Sequence, residues 1–210
     1  MKARIVLIDN LDSFAYNLVD ELRQLGYELT IYRNTVPVEI IQAALENYTG
    51  PQLVCLSPGP GHPLTSGSML KLIDYCSGRI PMLGICLGFQ ALLHSAGARI
   101  DRCEETVHGK VANITCQAHP IFAGLPSPLP VARYHSLSGY DLPDTIDQLA
   151  HFGSIPMAAW LPQQLALGFQ FHPESVMTTF GTALLQQSVD FLFQQTAACT
   201  SREQQEISRS

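Results

Sequence analysis

Between Arg4 and Gly97, short apolar runs alternate with segments whose apolar residues recur every three or four positions, and few folds accept that order. RIVLID (4–9) reads as a buried strand. SFAYNLVDELRQLG (13–26) spaces Phe14, Leu18, Leu22 and Leu25 helically before a glycine stop. The pattern repeats in YELTIYR (27–33, strand), VEIIQAALENY (38–48, helix), QLVCLS (52–57, strand), MLKLIDYCSG (69–78, helix), IPMLGIC (80–86, strand) and LGFQALLHSAG (87–97, helix). Strands joined through helices by short connections make parallel βαβ units, whose sheet must be covered on both faces. The predicted fold is therefore α/β, a mostly parallel central sheet with helices on both sides. KVANITC (110–116), LPVARYHSL (129–137) and QLALGFQF (164–171) read as strands of a smaller antiparallel extension. One domain spans 1–193, with no repeat or linker. The polar stretch 194–210, without an apolar period, is expected to fray.

A chain with 46% apolar and 14% charged residues has the material for a sizeable core. It has no apolar run of about eighteen residues, so no membrane span is expected. IVLI before Asp9 is too short for an export signal. Six cysteines, at 55, 76, 86, 103, 116 and 199, form no C-x-x-C pair and no His/Cys cluster at zinc spacing, which points to a reduced, cytoplasmic compartment and no metal. The net charge of −6, with no Lys/Arg cluster, argues against a nucleic-acid partner.

In such sheets the functional groups sit on loops beyond the carboxyl ends of the strands. DNLDSF (9–14), SPGPGHP (57–63) and the segment around Cys86 all follow predicted strands, so they should share one edge. Cysteine commonly packs as a small hydrophobe, and Cys55 in LVCLS fits that description. Cys86 does not, because Gly84 and Gly88 flank it in a Gly-x-Cys-x-Gly pattern that matches a nucleophile elbow. Of seven histidines, His172 stands out at the end of a strand-like run, with Pro173 enforcing extended backbone and Glu174 on the same side two residues on. A carboxylate there fixes the imidazole tautomer and leaves the other nitrogen for a thiol. Cys86, His172 and Glu174 thus form a candidate triad, with His135 the next choice of base. The oxyanion donors would be the Leu87 N–H and the Gly59–Pro60–Gly61 backbone. That loop also fits a plain turn or a phosphate cradle, although it lacks the Gly-Lys-Ser/Thr ending of a P-loop.

GICLGFQ, SPGPG, RYHSL and GFQFHPES, in that order, resemble the class I (triad) glutamine amidotransferases. DNLDSFAYNL, HGK (108–110) and MTTFG (177–181) resemble the branch that serves chorismate enzymes, over roughly residues 4 to 193. IYRNTVP and LPVARYHSL look more like the glutaminase component of anthranilate synthase than that of aminodeoxychorismate synthase. The resemblance implies that Cys86 attacks the glutamine side-chain amide, releasing ammonia and leaving a thioester that water hydrolyses. His172 would carry the protons and Glu174 would orient it. Gly59 and Gly61 would line the glutamine site, with Gln90, Ser136 and the Leu137 backbone gripping the substrate. The implied partner is the component I subunit of anthranilate synthase or of aminodeoxychorismate synthase, with Mg²⁺ on that partner and no cofactor in this chain. DNLDSF and HGK would lie near the partner, although Asp12 or Ser13 fits a helix N-cap equally well. Phe89 departs from the His common there in relatives, at a position outside the catalytic set.

Two rivals remain distinguishable. A free-standing γ-glutamyl cysteine hydrolase would use the same triad but need no second protein. A receiver-like signalling module, which Asp9 and Asp12 after the first strand bring to mind, would place an acceptor Asp after the third strand, where this chain has SPGPG.

Overall fold

The computed structural model describes residues 3–103 and 109–207, with side chains to Ala198. Its first half alternates β1 (Arg4–Asp9), α1 (Phe14–Gln24), β2 (Glu28–Arg33), α2 (Val38–Glu46), β3 (Gln52–Leu56), α3 (Met69–Cys76), β4 (Met82–Ile85) and α4 (Leu87–Ser95). The second half adds β5 (Arg99–Arg102), β6 (Lys110–Cys116), β7 (Leu129–Arg133), β8 (Leu137–Tyr140), β9 (Asp147–Phe152), β10 (Ile155–Leu161), β11 (Ala166–Phe169) and α5 (Gly181–Ile207).

One nine-stranded sheet runs β2-β1-β3-β4-β11-β10-β9-β6-β7. Its first five strands are parallel, and from β11 onward the ladders are antiparallel. The antiparallel extension is thus continuous with the parallel part, while β5 and β8 pair separately. Period-two alternation assigns the faces. Ile5 and Leu7 of β1 pack with Leu18 and Leu22 of α1 and with Leu184, Leu185, Val189 and Leu192 of α5. Val6 and Ile8 of the same strand pack against α2, α3 and α4 through Ile41, Leu45, Leu72, Ile73 and Leu92. Both faces are sealed, which is why β1, β3 and β4 read as unbroken apolar runs.

The site-bearing edge follows from the connections. The chain leaves β1 for β2 on one side and returns to β3 on the other, with α1 and α2 on opposite faces, so the loops after β1 and β3 diverge at a topological switch point. Asn10 ties them together: its N–H donates to Ser57 Oγ at 2.9 Å and its side-chain amide to the Ser57 carbonyl at 2.8 Å.

Two stretches differ from the sequence reading. The strand expected over 129–137 is broken, because β7 ends at Arg133, residues 134–136 turn into the site, and β8 begins at Leu137 in the other sheet. Helix α5 was not anticipated, although its buried Leu184, Leu185, Val189 and Leu192 carry a helical period. It runs on into the polar segment from 194, where Gln194, Ala197 and Ala198 have left the core and are exposed. No helix among the described residues is long and apolar enough to cross a membrane.

Candidate active site

Cys86 stands between β4 and α4 at φ 51°, ψ −100°, a left-handed conformation that a side chain adopts only under constraint. The constraint is visible on both sides. Its own N–H donates to the Phe169 carbonyl at 2.8 Å, and its carbonyl accepts the Gln90 N–H at 3.0 Å as the first bond of α4. The flanking glycines are explained by crowding. A Cβ on Gly84 would stand 2.7 Å from the Gly88 carbonyl carbon, and one on Gly88 would collide with the Leu56 carbonyl. Only bare backbone lets strand and helix approach closely enough to push the thiol out of the sheet edge.

His172 and Glu174 follow β11 on the next loop. Their side chains are buried, and His172 Nδ1 lies 2.7 Å from Glu174 Oε1. Among the described residues no hydrogen-bond partner completes His172 Nε2. Burial disfavours the charged ring, yet Cys86 and the Glu174 carboxylate outweigh it, raising the His172 pKa well above its ordinary value. Two rings hold the imidazole in place: Phe14 at 4.8 Å and Tyr134, edge-on, at 5.1 Å between centroids. Thr178 Oγ1 donates to the His172 carbonyl at 2.7 Å and accepts the Ala132 N–H, pinning the backbone to β7.

Cys86, Gly59, Pro60, Gly61, Gln90, Ser136 and Leu137 line one cavity of about 220 Å³, together with Asp12, Tyr134 and His135. His172 and Glu174 are buried outside that lining. Leu87 sends its side chain into the core and presents its backbone N–H at the first turn of α4, where helical N–H groups lack intrahelical partners. A Cβ on Gly59 would stand 2.5 Å from Asn10 Cβ and 2.7 Å from Leu87 Cδ2, so glycine there lets the loop backbone close on that turn. Asp12, not Ser13, caps α1, its carboxylate accepting the Phe14 N–H at 2.7 Å. Phe89 is fully buried over Gly168, away from the cavity. Of HGK, His108 lies outside the described residues.

His135, the alternative base, is occupied. Its Nε2 accepts from Arg133 Nε at 3.2 Å, and Nδ1 faces the Leu137 carbonyl at 3.0 Å, so the neutral ring with the proton on Nδ1 satisfies both. Burial and then the Arg133 charge push its pKa down to about 4. A folded pKa below the unfolded 6.5 means that the unfolded chain binds more protons between those values, so stability falls with acid across that window. The interval corresponds to about 3 kcal/mol. In urea titrations from pH 7 to 4, His135→Gln is expected to flatten this acid slope; an unchanged slope would mean that His135 titrates normally.

Sequence reasoning did not single out Phe14, Tyr134, Thr178 or Gln170. The rule that paired His172 with Glu174, same side two residues apart, also reaches back to Gln170, whose amide Nε2 lies 3.8 Å from Cys86 Sγ. The aromatic and Thr178 contacts join distant segments and leave no local signal. Among the described residues no group of three His, Cys, Asp or Glu side chains could hold a metal.

A model of the family "Glutamine amidotransferase class-I" matches residues 6–191. Anthranilate synthase component 2 of Vibrio parahaemolyticus is 45% identical over 196 residues, covering 93% of this chain and all of that protein. The component 2 proteins of Helicobacter pylori and Haemophilus influenzae are 46% and 44% identical, covering 90% of this chain and 97% and 98% of theirs. A glutamine amidotransferase from Thermotoga maritima superposes with a TM-score of 0.73 at 18% identity, covering 92% of this chain and 99% of that one. At that identity the likeness speaks for the fold alone.

Proposed function

The chain belongs to the class-I glutamine amidotransferases, and from that premise we propose that it is the glutaminase subunit of an anthranilate synthase, a cytoplasmic enzyme of tryptophan biosynthesis. The observation that carries the catalytic reading is Cys86 held at φ 51° in the lining of a cavity, together with the buried, hydrogen-bonded His172–Glu174 pair whose ring the Cys86 charge raises in pKa. The Cys86 thiolate attacks the side-chain carbonyl carbon of glutamine, and the oxygen takes up the negative charge. The N–H groups of Leu87 and of the Gly59 loop receive that oxygen in this reading. His172, charged and oriented by Glu174, gives its proton to the departing nitrogen, which leaves as ammonia. The neutral ring then takes a proton from water, whose oxygen attacks the thioester; glutamate leaves and Cys86 is restored. Gln90, Ser136 and Leu137 line the cavity where the substrate would sit.

Ammonia released into neutral water is protonated and loses its nucleophilicity, so the reading includes a partner that receives it. The name anthranilate synthase component 2, carried by relatives at 44–46% identity, supports a second synthase subunit; in our reading that subunit uses chorismate, and any Mg²⁺ required for synthesis belongs to it. The surface agrees with docking beside the cavity. Leu11, next to Asp12, and Leu64, three residues past Gly61, are exposed, and Val176, two residues past Glu174, is 95% exposed.

Ammonia release from glutamine, measured with and without the purified synthase subunit and chorismate, tests the proposal. Strong stimulation is expected, because partner contacts close loops around the site. Equal rates would make the chain a free-standing hydrolase. Leu11→Glu with Val176→Glu is expected to weaken stimulation by about tenfold or more through lost apolar burial and added charge, while the unstimulated rate changes little. Full stimulation of the double variant would place the partner elsewhere.

A further inference from the structure

We propose that Gln170 is a positioning residue for the nucleophile: its side-chain amide, oriented by Gln90, donates to Cys86 Sγ and holds the sulfur as an aimed thiolate. The inference rests on the reading of Cys86 as the nucleophile and adds a residue that the triad does not contain.

Gln170 is fully buried one residue past β11, its backbone N–H fixed on the Met157 carbonyl at 2.9 Å. A buried amide is retained where its hydrogen bonds are made, and a methionine or leucine would fill the same space without them. Among the described residues its side chain has two polar neighbours. Gln90 Nε2 lies 3.2 Å from Gln170 Oε1, and Gln170 Nε2 lies 3.8 Å from Cys86 Sγ. The orientation is determined by the network. Gln90 Nε2 already donates to the Leu137 carbonyl at 3.0 Å, so the Gln90 amide presents its nitrogen to that side. Gln170 must therefore turn its oxygen to Gln90, which leaves its NH₂ facing the sulfur.

That polarity decides what the sulfur is offered. An amide NH₂ only donates, and a thiolate accepts more strongly than a thiol, so the contact favours the nucleophilic form. It also limits the rotation of a side chain that projects from a strained turn. Gln90 and Leu137 line the cavity, so the chain Leu137–Gln90–Gln170–Cys86 joins the substrate cavity to the attacking atom. The other titratable groups around the sulfur are His172 and Glu174 after β11, Cys55 on β3, Asp12 after β1, Tyr134 and His135 after β7, Arg133 at the end of β7, and Cys103 after β5. Substitution at 170 changes none of them.

The test measures Cys86 alkylation by iodoacetamide against pH, and glutamine kcat and KM in the synthase complex, for wild type, Gln170→Met and Gln170→Glu. Gln170→Met keeps the volume and removes the donor. Its alkylation curve is expected to move to higher pH by about one unit, with kcat down about tenfold. Gln170→Glu keeps an oxygen for Gln90, so KM should stay near wild type while kcat falls. Gln170→Leu is read in the same way should the methionine variant fail to fold. A methionine or leucine curve that superimposes on wild type overturns the proposal, even if the glutamate curve shifts, since an added charge would do that alone. So does a rise in KM with kcat unchanged, which would make Gln170 a support of the pocket wall. A wild-type complex that turns over no glutamine would instead defeat the glutaminase reading, independently of any variant at 170.

Discussion

Cys86→Ala is expected to abolish glutamine-dependent synthesis by the complex, on the order of 10⁴-fold or more, while synthesis from added ammonium stays within about twofold of wild type. The size follows from the bond that is lost. Without sulfur no thioester can form, and neither the Gly59 loop nor His172 offers a replacement nucleophile. The selectivity follows from location. Cys86 sits at the end of β4, at the N-terminus of α4, and its backbone bonds to Phe169 and Gln90 do not involve the side chain. Alanine at φ 51° carries the same kind of backbone strain as cysteine, so the elbow should persist. Parallel assays with glutamine and with ammonium chloride, each with synthase and chorismate, decide the matter. A variant that retained glutamine-dependent turnover would remove Cys86 from the chemistry. One that ammonium failed to rescue would show that the thiol holds the complex together instead.

The legibility of this chain in its sequence has a physical pattern. The βαβ half was readable because each element carries its own period and its own stop: α1 buries Ala15, Leu18, Val19 and Leu22 on one stripe and ends before Gly26. The Cys86 turn was readable because steric exclusion leaves glycine as the only residue at 84 and 88, and glycines at fixed spacing survive in one dimension. The antiparallel half was harder. β9 and β10 are joined through Gly153 and carry irregular register near Pro156 and Ala158, which blurs a two-residue period. The break after Arg133 is set by tertiary contacts, with His135 bonded to both Arg133 and Leu137, so a plausible strand pattern yields to a loop that enters the site. What surrounds His172 was least visible. Phe14 lies 158 positions away in sequence, and its spacing within α1 looks like that of any core residue.

His172→Asn should slow thioester formation by about 10²-fold or more, the scale of general acid–base catalysis, and Glu174→Gln by less, because the imidazole remains. The two variants separate through pH. In the proposed mechanism, expulsion of ammonia needs the charged ring. Burial works against that charge, but Cys86 and Glu174 raise the folded pKa of His172 well above the ordinary 6.5. The linked stability is therefore fully present below 6.5 and is lost as pH rises through the folded pKa. Activity limited by the protonated ring should likewise persist above neutrality and fall only at the raised value. Glu174→Gln removes one of the charges that raise it, so its alkaline limb should move to lower pH, while the contribution from Cys86 remains. Glutamine kcat/KM for the synthase complex, followed across the pH range for wild type and both variants, gives the answer. A limb that stays in place in Glu174→Gln would mean that the carboxylate serves only as a spacer behind the ring. Wild-type kinetics in His172→Asn would leave His135, already bonded at both nitrogens, as the imidazole that lines the cavity, and His135→Gln would then have to show the loss that His172→Asn did not.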